Sequence, residues 1–331
     1  MAEEENSSSK PKETYPLFSF SNLNLQGLGF GLFGSPEKPL PPPPPCVEVL
    51  LSEESSTVKS NAEPIVINDE LTLLKGRVST FDVFGVANSD LLAGKYEGGL
   101  KLWEGSVDLV KTLCSEVREG RLMFKGKRVL EVRCLVSGDI LCSQLGCGHG
   151  LPGIFTGLEG AAVIHFQDFN AEVLKHLTIP NVKVNLMKKL SQQHFLITNK
   201  TDMSISPDVR FFAGDWSEIH QLLHCGFNMD QQKATDDPEQ KGCDGYDIIL
   251  MAETVYALSS LHSLYGLIKK CLHHPSGVIY MAGKKHYFGV GGGTRQFLHL
   301  VKKDGIMEAC LLAEVADGSS NVREVWKFSF K

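Results

Sequence analysis

The chain has no CxxC pair, no excess of positive charge and no apolar run approaching the roughly 20 residues that a membrane-spanning helix needs. Its nine cysteines are scattered and odd in number, which speaks against a disulfide framework and for reduced, mostly buried thiols. A formal net charge of −6 argues against a broad nucleic-acid footprint, so free DNA or RNA is not the expected partner. The start of the chain, with Glu3-Glu4-Glu5 and Ser7-Ser8-Ser9, lacks the basic residues and apolar core of a secretory signal. An intracellular location without membrane contact is expected.

What the chain does have is glycine in a telling place. Leu145-Gly146-Cys147-Gly148-His149-Gly150-Leu151-Pro152-Gly153 sets three glycines at alternate positions, where a strand should give way to a helix. Glycine there permits positive φ and leaves no Cβ between the main chain and a ligand, so the turn suits a nucleotide. Alone the signal is weak. About 20 residues on, Ala162 to Asp168 reads as a buried strand ending in an acid, where nucleotide-binding α/β folds hold ribose hydroxyls. Val209 to Ala213, ending in Gly214-Asp215-Trp216, and Tyr246 to Ala252, ending in Glu253-Thr254-Val255-Tyr256, are two further strands. In an open parallel sheet, ligands bind beyond the carboxyl ends of the strands, so these ends should converge on one pocket.

Residues 1–70 form an expected disordered tail, acidic and rich in serine and proline, with Pro41 to Pro45 as a polyproline II spacer. An apolar stretch, Leu17 to Phe33, docks on the domain or on a partner, and the sequence does not choose. Residues 71–331 read as one domain. Helices are expected over Ser106 to Arg118, from Leu151 to Gly157, from Glu172 up to an interruption at Pro180, and over Ser259 to Leu272. Residues 226–245 read as an inserted polar loop. Strands at Gly277 to Ala282, Ala309 to Val315 and Val322 to Phe330, with a helix at Thr294 to Lys303, complete the pattern, the last two strands turning at Asp317-Gly318. Alternating strands and helices predict an α/β fold: a parallel sheet with helices on both faces and a C-terminal antiparallel hairpin.

Six ordered strings give these features a family likeness. They are Lys95-Tyr96-Glu97-Gly98-Gly99-Leu100-Lys101-Leu102-Trp103-Glu104, Gly146 to Gly153, Gln167-Asp168-Phe169-Asn170, Gly214-Asp215-Trp216, Glu253-Thr254-Val255-Tyr256 and Lys285-His286-Tyr287-Phe288-Gly289-Val290-Gly291-Gly292-Gly293. Over roughly residues 88–331 the chain resembles the seven-stranded, Rossmann-like S-adenosylmethionine-dependent methyltransferases, and within them the histidine protein methyltransferases. The first and last strings are the specific ones. The likeness implies S-adenosyl-L-methionine as cofactor and methyl transfer to the remote (tele) imidazole nitrogen of a histidine in a large-subunit ribosomal protein. It also implies a monomer in the cytoplasm and nucleus, nucleolus included. It places Leu102, Trp103, Glu104, Gly105, Ser106, Gly146, Gly148, Gln167, Asp168, Phe169, Gly214, Asp215, Trp216 and Ala252 around the cofactor.

Asp168 suits the ribose hydroxyls, Asp215 the adenine amino group, and Trp103 or Trp216 a flat or cationic part of the ligand. Against this, Trp103 reads equally as a core anchor and Asp215 as a helix cap. Glu253, at the end of the fourth strand, is the candidate catalytic residue: it would hold the acceptor imidazole in one tautomer and later take its proton. Structural capping is its bland alternative. His149 is read as shaping the turn. His220 and His224 have helical zinc spacing but no clear third ligand, so no metal is expected. Gly291-Gly292-Gly293 suggests a mobile loop closing on a peptide.

One departure stands out. The family's first strand runs straight into the glycine turn as Val-Leu-Glu-Leu-Gly-Cys-Gly, whereas here residues 132–144 separate Val129-Leu130-Glu131 from Leu145-Gly146-Cys147. Either Arg128 to Glu131 keeps the first-strand place and a loop intrudes, or Asp139 to Leu145 replaces it. The interruption predicts weaker cofactor binding than in the chain without it. A catalytically silent binding module, a nicotinamide-dependent oxidoreductase, and a lysine or small-molecule acceptor are the competing readings.

Overall fold

The computed structural model describes residues 45–51, 62–85, 91–92, 96–97, 100–132, 148–187, 206–223, 245–289, 291–316, 318 and 321–331. The apolar stretch 17–33, most of the proline run, residues 133–147 with Gly146, His224 and the greater part of the polar loop lie outside the described residues. In chain order the elements are β1 (Val47–Glu48), β2 (Glu63–Val66), β3 (Thr72–Lys75), α1 (Thr80–Phe84), β4 (Leu91–Leu92), β5 (Tyr96–Glu97), α2 (Glu104–Arg118), β6 (Arg128–Val132), α3 (Leu151–Leu158), β7 (Val163–Asp168), α4 (Ala171–Val173), α5 (Ile179–Val182), β8 (Asp208–Ala213), β9 (Ile248–Ala252), α6 (Leu261–Cys271), β10 (Val278–Lys284), α7 (Thr294–Asp304), β11 (Met307–Ala316) and β12 (Val322–Phe330).

One large sheet has the order β1-β8-β7-β6-β9-β10-β12-β11. The five strands from β8 to β10 are parallel, and β12 runs antiparallel to both β10 and β11. Residues along β6, β7, β9 and β10 are buried almost without alternation, which requires cover on both sheet faces and explains why these strands read as continuous apolar runs. The chain moves outward from β6 to β8 in one direction and from β9 to β10 in the other. The strand order therefore reverses between β6 and β9, and a crevice opens at their carboxyl ends. The expected α/β architecture and C-terminal hairpin are present.

Three expectations need correction. The sheet has eight strands, because Val47–Glu48 pairs antiparallel with β8. Arg210 donates to both carboxylate oxygens of Glu48, at 2.7 and 2.9 Å, which fixes this short strand on the sheet edge. The boundary at residue 70 also falls inside a hairpin, since β2 pairs with β3 across it. Asn185 holds that hairpin through the N–H and carbonyl of Leu74, at 2.8 and 2.7 Å.

The interruption expected at Pro180 is a change of helix type and not an end of the helix opened by Ala171. That helix continues to Met187 through two π-helical turns, Leu174–Thr178 and Lys183–Met187. The Ile179 N–H bonds Leu174 O, five residues back, so the turn before Pro180 is widened. That widening relieves the clash a proline makes with an ordinary helical turn.

Candidate active site

Register brings the strand ends together. Val132 pairs with Gln167 on one side and Met251 on the other, Ala252 pairs with Ala282, and Asp168 pairs with Ala213. Beyond this edge, the Gly214 N–H donates to Asp168 O at 3.0 Å and Gln167 Nε2 donates to Gly214 O at 3.0 Å. The ends of β7 and β8 are thereby tied. At the other side of the switch point, the first turn of α2 packs against the residue that follows β9.

That residue is Glu253. Its N–H donates to Ala282 O at 2.8 Å, so it extends the β9–β10 pairing before the chain turns away at φ +57°, a region that disfavours side chains larger than glycine's hydrogen. Its side chain is completely buried. The Tyr287 hydroxyl donates to Oε2, and the Tyr287 oxygen in turn accepts the Lys284 N–H at 3.0 Å. Oε1 has no hydrogen-bond partner among the described residues. A Cβ on Gly105 would lie 3.0 Å from both Cγ and Cδ of Glu253 and nearer still to Oε1, so only glycine fits at this second position of α2.

Burial pushes the Glu253 carboxyl up to about 7. The Tyr287 hydrogen bond and the Lys284 charge draw it down, Glu104 pushes it up, and Arg323 draws it down. Arg323 is itself engaged with Asp108 of α2 at 2.5 Å. A buried carboxyl with one oxygen fixed, one unsatisfied and a proton affinity near neutrality is suited to exchanging a proton with a bound ring.

Ser106 Oγ in the first turn of α2 and Thr254 Oγ1, of the residue after Glu253, are also buried without a hydrogen-bond partner among the described residues. Buried polar atoms are normally satisfied, so unpartnered ones at the start of α2 and at the end of β9 single out this edge of the sheet. Leu102, Trp103, Glu104, Gly105 and Ser106 gather at this helix start, and Ala252 at the adjoining strand end. Trp103 belongs to the hydrophobic core, as its bland reading had it, and the Lys101 ammonium stands 4.5 Å from its ring centroid. Across the crevice, Gln167, Asp168 and Phe169 are buried at the end of β7. Asp168 Oδ1 accepts the Asn170 N–H at 2.9 Å.

Trp216 is fully buried, and its Nε1 donates to Gln167 Oε1 at 3.0 Å. Asp215 Oδ1 accepts from Ser217 N and Oγ at 2.8 and 2.7 Å, so this carboxylate closes the turn that follows β8, and no helix starts at Trp216. Cys46 packs over Gly214 where a Cβ would collide with it, bringing the N-terminal strand against this corner.

Gly146 lies outside the described residues, and the turn resumes at Gly148. Thr178 Oγ1 donates to Gly148 O at 2.7 Å and Asn181 Nδ2 to His149 O at 3.0 Å, so the widened helix anchors the turn. Of the two alternatives for the first strand, Arg128 to Glu131 holds the place: β6 pairs with both neighbours. Glu131 Oε2 accepts the Gly153 N–H of α3 at 2.7 Å. His220 Nε2 lies 3.4 Å from Lys270 Nζ.

The sequence reading missed Tyr287 and Lys284. Tyr287 sits inside a string quoted for the family likeness but was read only as part of a glycine-rich loop. Those glycines serve close packing: the Gly293 N–H donates to Val255 O at 2.7 Å, and a Cβ at Gly292 would overlap the Tyr256 carbonyl.

No family model matches the chain. A histidine protein methyltransferase 1 homolog of Dictyostelium discoideum is 35% identical over 243 residues, 73% of this chain and 61% of that protein. One of Bos taurus is 33% identical over 241 residues, 70% and 56% of the two chains. Histidine protein methyltransferase 1 of Schizosaccharomyces pombe is 29% identical over 275 residues, 78% and 67%. The chain thus spans about three fifths of the length of the first two. Among solved structures, magnesium protoporphyrin IX methyltransferase from Synechocystis PCC 6803 aligns with a TM-score of 0.36 and 11% identity, covering 68% of this chain and 79% of that one. At that level, the strand order and not the superposition identifies the fold. On sequence, the chain is similar over about seven tenths of its own length to proteins named histidine protein methyltransferase 1 and its homologues.

Proposed function

We propose that this chain is an S-adenosylmethionine-dependent protein-histidine N-methyltransferase acting at the tele nitrogen. The observation that carries the reading is Glu253, buried at the switch-point strand end with Oε1 unsatisfied among the described residues. Relatives named for histidine methylation support it. The cofactor would be held by the first turn of α2 with Ser106, by Gly148 of the glycine turn, and by Asp168 and the Gly214 to Trp216 corner. It supplies a methyl group on a sulfonium, already activated for displacement.

What remains for the protein is positioning and exclusion of water. A neutral imidazole is a competent nucleophile at one ring nitrogen only while the other keeps its proton. Glu253 Oε1 accepts a hydrogen bond from that second nitrogen, which selects the tautomer and leaves the tele nitrogen's lone pair facing the methyl group. After transfer the ring is cationic, and its proton passes to Oε1. A carboxyl near 7 is matched to an imidazole, whose ordinary value is about 6.5.

The acceptor is a histidine in a protein, and the large-subunit ribosomal proteins are the first to offer. The test incubates the chain with labelled cofactor and that protein fraction, then maps the methyl group by mass spectrometry. Label on a histidine tele nitrogen, abolished by Glu253→Gln, bears the reading out. Label on lysine, or none, refutes it. The separation of Glu131 from Gly146 favours a second reading, a disabled binding module, which predicts no cofactor binding in a calorimetric titration.

A further inference from the structure

We propose that Tyr287 is the positioning residue of Glu253: its hydroxyl holds Oε2 and thereby aims Oε1 at the acceptor ring. The inference rests on the proposed histidine methylation and adds a residue to it. The Lys284 N–H donates to the Tyr287 oxygen at 3.0 Å, so the hydroxyl's own proton is left to donate to Glu253. A Cβ at Gly283 would come within 3.1 Å of that oxygen, so β10 leaves the hydroxyl just the room it occupies. The ring is 5% exposed and meets Tyr256 edge-on, with centroids 6.1 Å apart.

The loop that carries Tyr287 is fastened to the segment after Glu253. Besides the Gly293 bond to Val255 O, the Tyr287 N–H donates to Gly292 O and the Gly291 N–H to Tyr287 O, both at 3.0 Å, and Gly291 bridges Ala257. The neighbouring Phe288 is 75% exposed. One loop thus sets one aromatic on the base and the next one in solvent. The groups facing Glu253 are Tyr287, Lys284 of β10, Glu104 of α2 and Arg323 of β12, the last paired with Asp108. Among them, Tyr287 alone makes a hydrogen bond to the carboxylate. In the transfer, the tele N–C bond forms as the C–S bond breaks and its electron pair goes to sulfur. The other ring nitrogen's proton moves to Oε1, and Tyr287 keeps its own.

Tyr287→Phe keeps the ring and removes the bond. Because the bond favours the charged carboxylate, its loss moves Glu253 protonation to higher pH, by about one unit. The measurement is an infrared titration of the full chain carrying 13C-labelled glutamate, the Glu253 band being identified by its absence in Glu253→Gln. The expected companion is a kcat at pH 7 about fivefold lower, with its acidic limb displaced by the same unit and KM for the acceptor unchanged. A titration midpoint identical in wild type and Tyr287→Phe overturns the proposal whether or not the chain methylates histidine. A displaced midpoint in a chain that methylates nothing sustains the pairing and refutes the proposed function instead. Gly283→Ala, which crowds the hydroxyl and keeps the tyrosine, should displace the midpoint in the same direction and covers the case in which Tyr287→Phe does not fold.

Discussion

Gly105→Ala should separate activity from stability more sharply than any other single change. On propensity alone, alanine in place of glycine in a helix is favourable by up to about 1 kcal/mol. The new Cβ, however, lies 3.0 Å from Cγ and Cδ of Glu253 and closer to Oε1, inside contact distance. Glu253 has little room to recoil, being packed against the first turn of α2, held at Oε2 and fixed by a strained backbone at φ +57°. Overpacking of this kind costs about 1–3 kcal/mol. The two effects oppose, and the net loss should be no more than about 2 kcal/mol, a fall in Tm of roughly 3–4 °C for a chain of this size. Activity should suffer far more, since a displacement of about 1 Å at a reacting group costs on the order of 100-fold. A thermal melt paired with a methyl-transfer assay reads both. Full turnover in Gly105→Ala would mean that the carboxylate position does not matter to the reaction.

Glu253→Gln should make the chain more stable above neutral pH. Between the ordinary value of 4.5 and about 7, the folded state holds a proton that the unfolded state has released, so wild-type stability falls as pH rises through that window, by about 3 kcal/mol in all. The Tm advantage of Glu253→Gln should therefore grow from pH 5 to pH 8; a constant difference would refute a raised carboxyl. Glu131→Ala leaves the Gly153 N–H in α3 without its charged acceptor, and denaturant unfolding should show a loss of about 1.5–3 kcal/mol; a loss under 0.5 would mean that the bond is dispensable. Removing residues 132–144 should tighten S-adenosylmethionine binding with little change in Tm, because Leu145 then takes the place of Val132 at the end of β6. Equal affinity in calorimetry would show the inserted segment to be harmless.

The interior of the sheet was legible because parallel strands covered on both faces leave uninterrupted apolar runs, each ending in glycine or an acid at the crevice. Its edge was not. Val47–Glu48 is a two-residue strand behind a proline run, and what secures it is Arg210, more than 160 residues away in sequence. The continuation through Pro180 was hidden for a similar reason. Local rules forbid an α-helical turn there, but a π turn escapes the clash, and the helix is held from outside by the bonds of Thr178 and Asn181 to the glycine turn.

At the site, Glu253 could be singled out because position alone marks it: an acid closing an apolar strand. Tyr287 could not, since its partner is 34 residues earlier and the contact exists only once the glycine-rich loop lies on Val255 to Ala257. The interrupted first strand illustrates the same limit from the other side. In sequence, 13 extra residues threaten the register of a central strand. In the fold, β6 keeps its pairing with β7 and β9 up to Val132, and Glu131 reaches across the interruption to the first turn of α3. Sheet and helix are therefore joined independently of the chain between them, so any cost of the insertion must fall on the glycine turn and the ligand it would meet, not on the core.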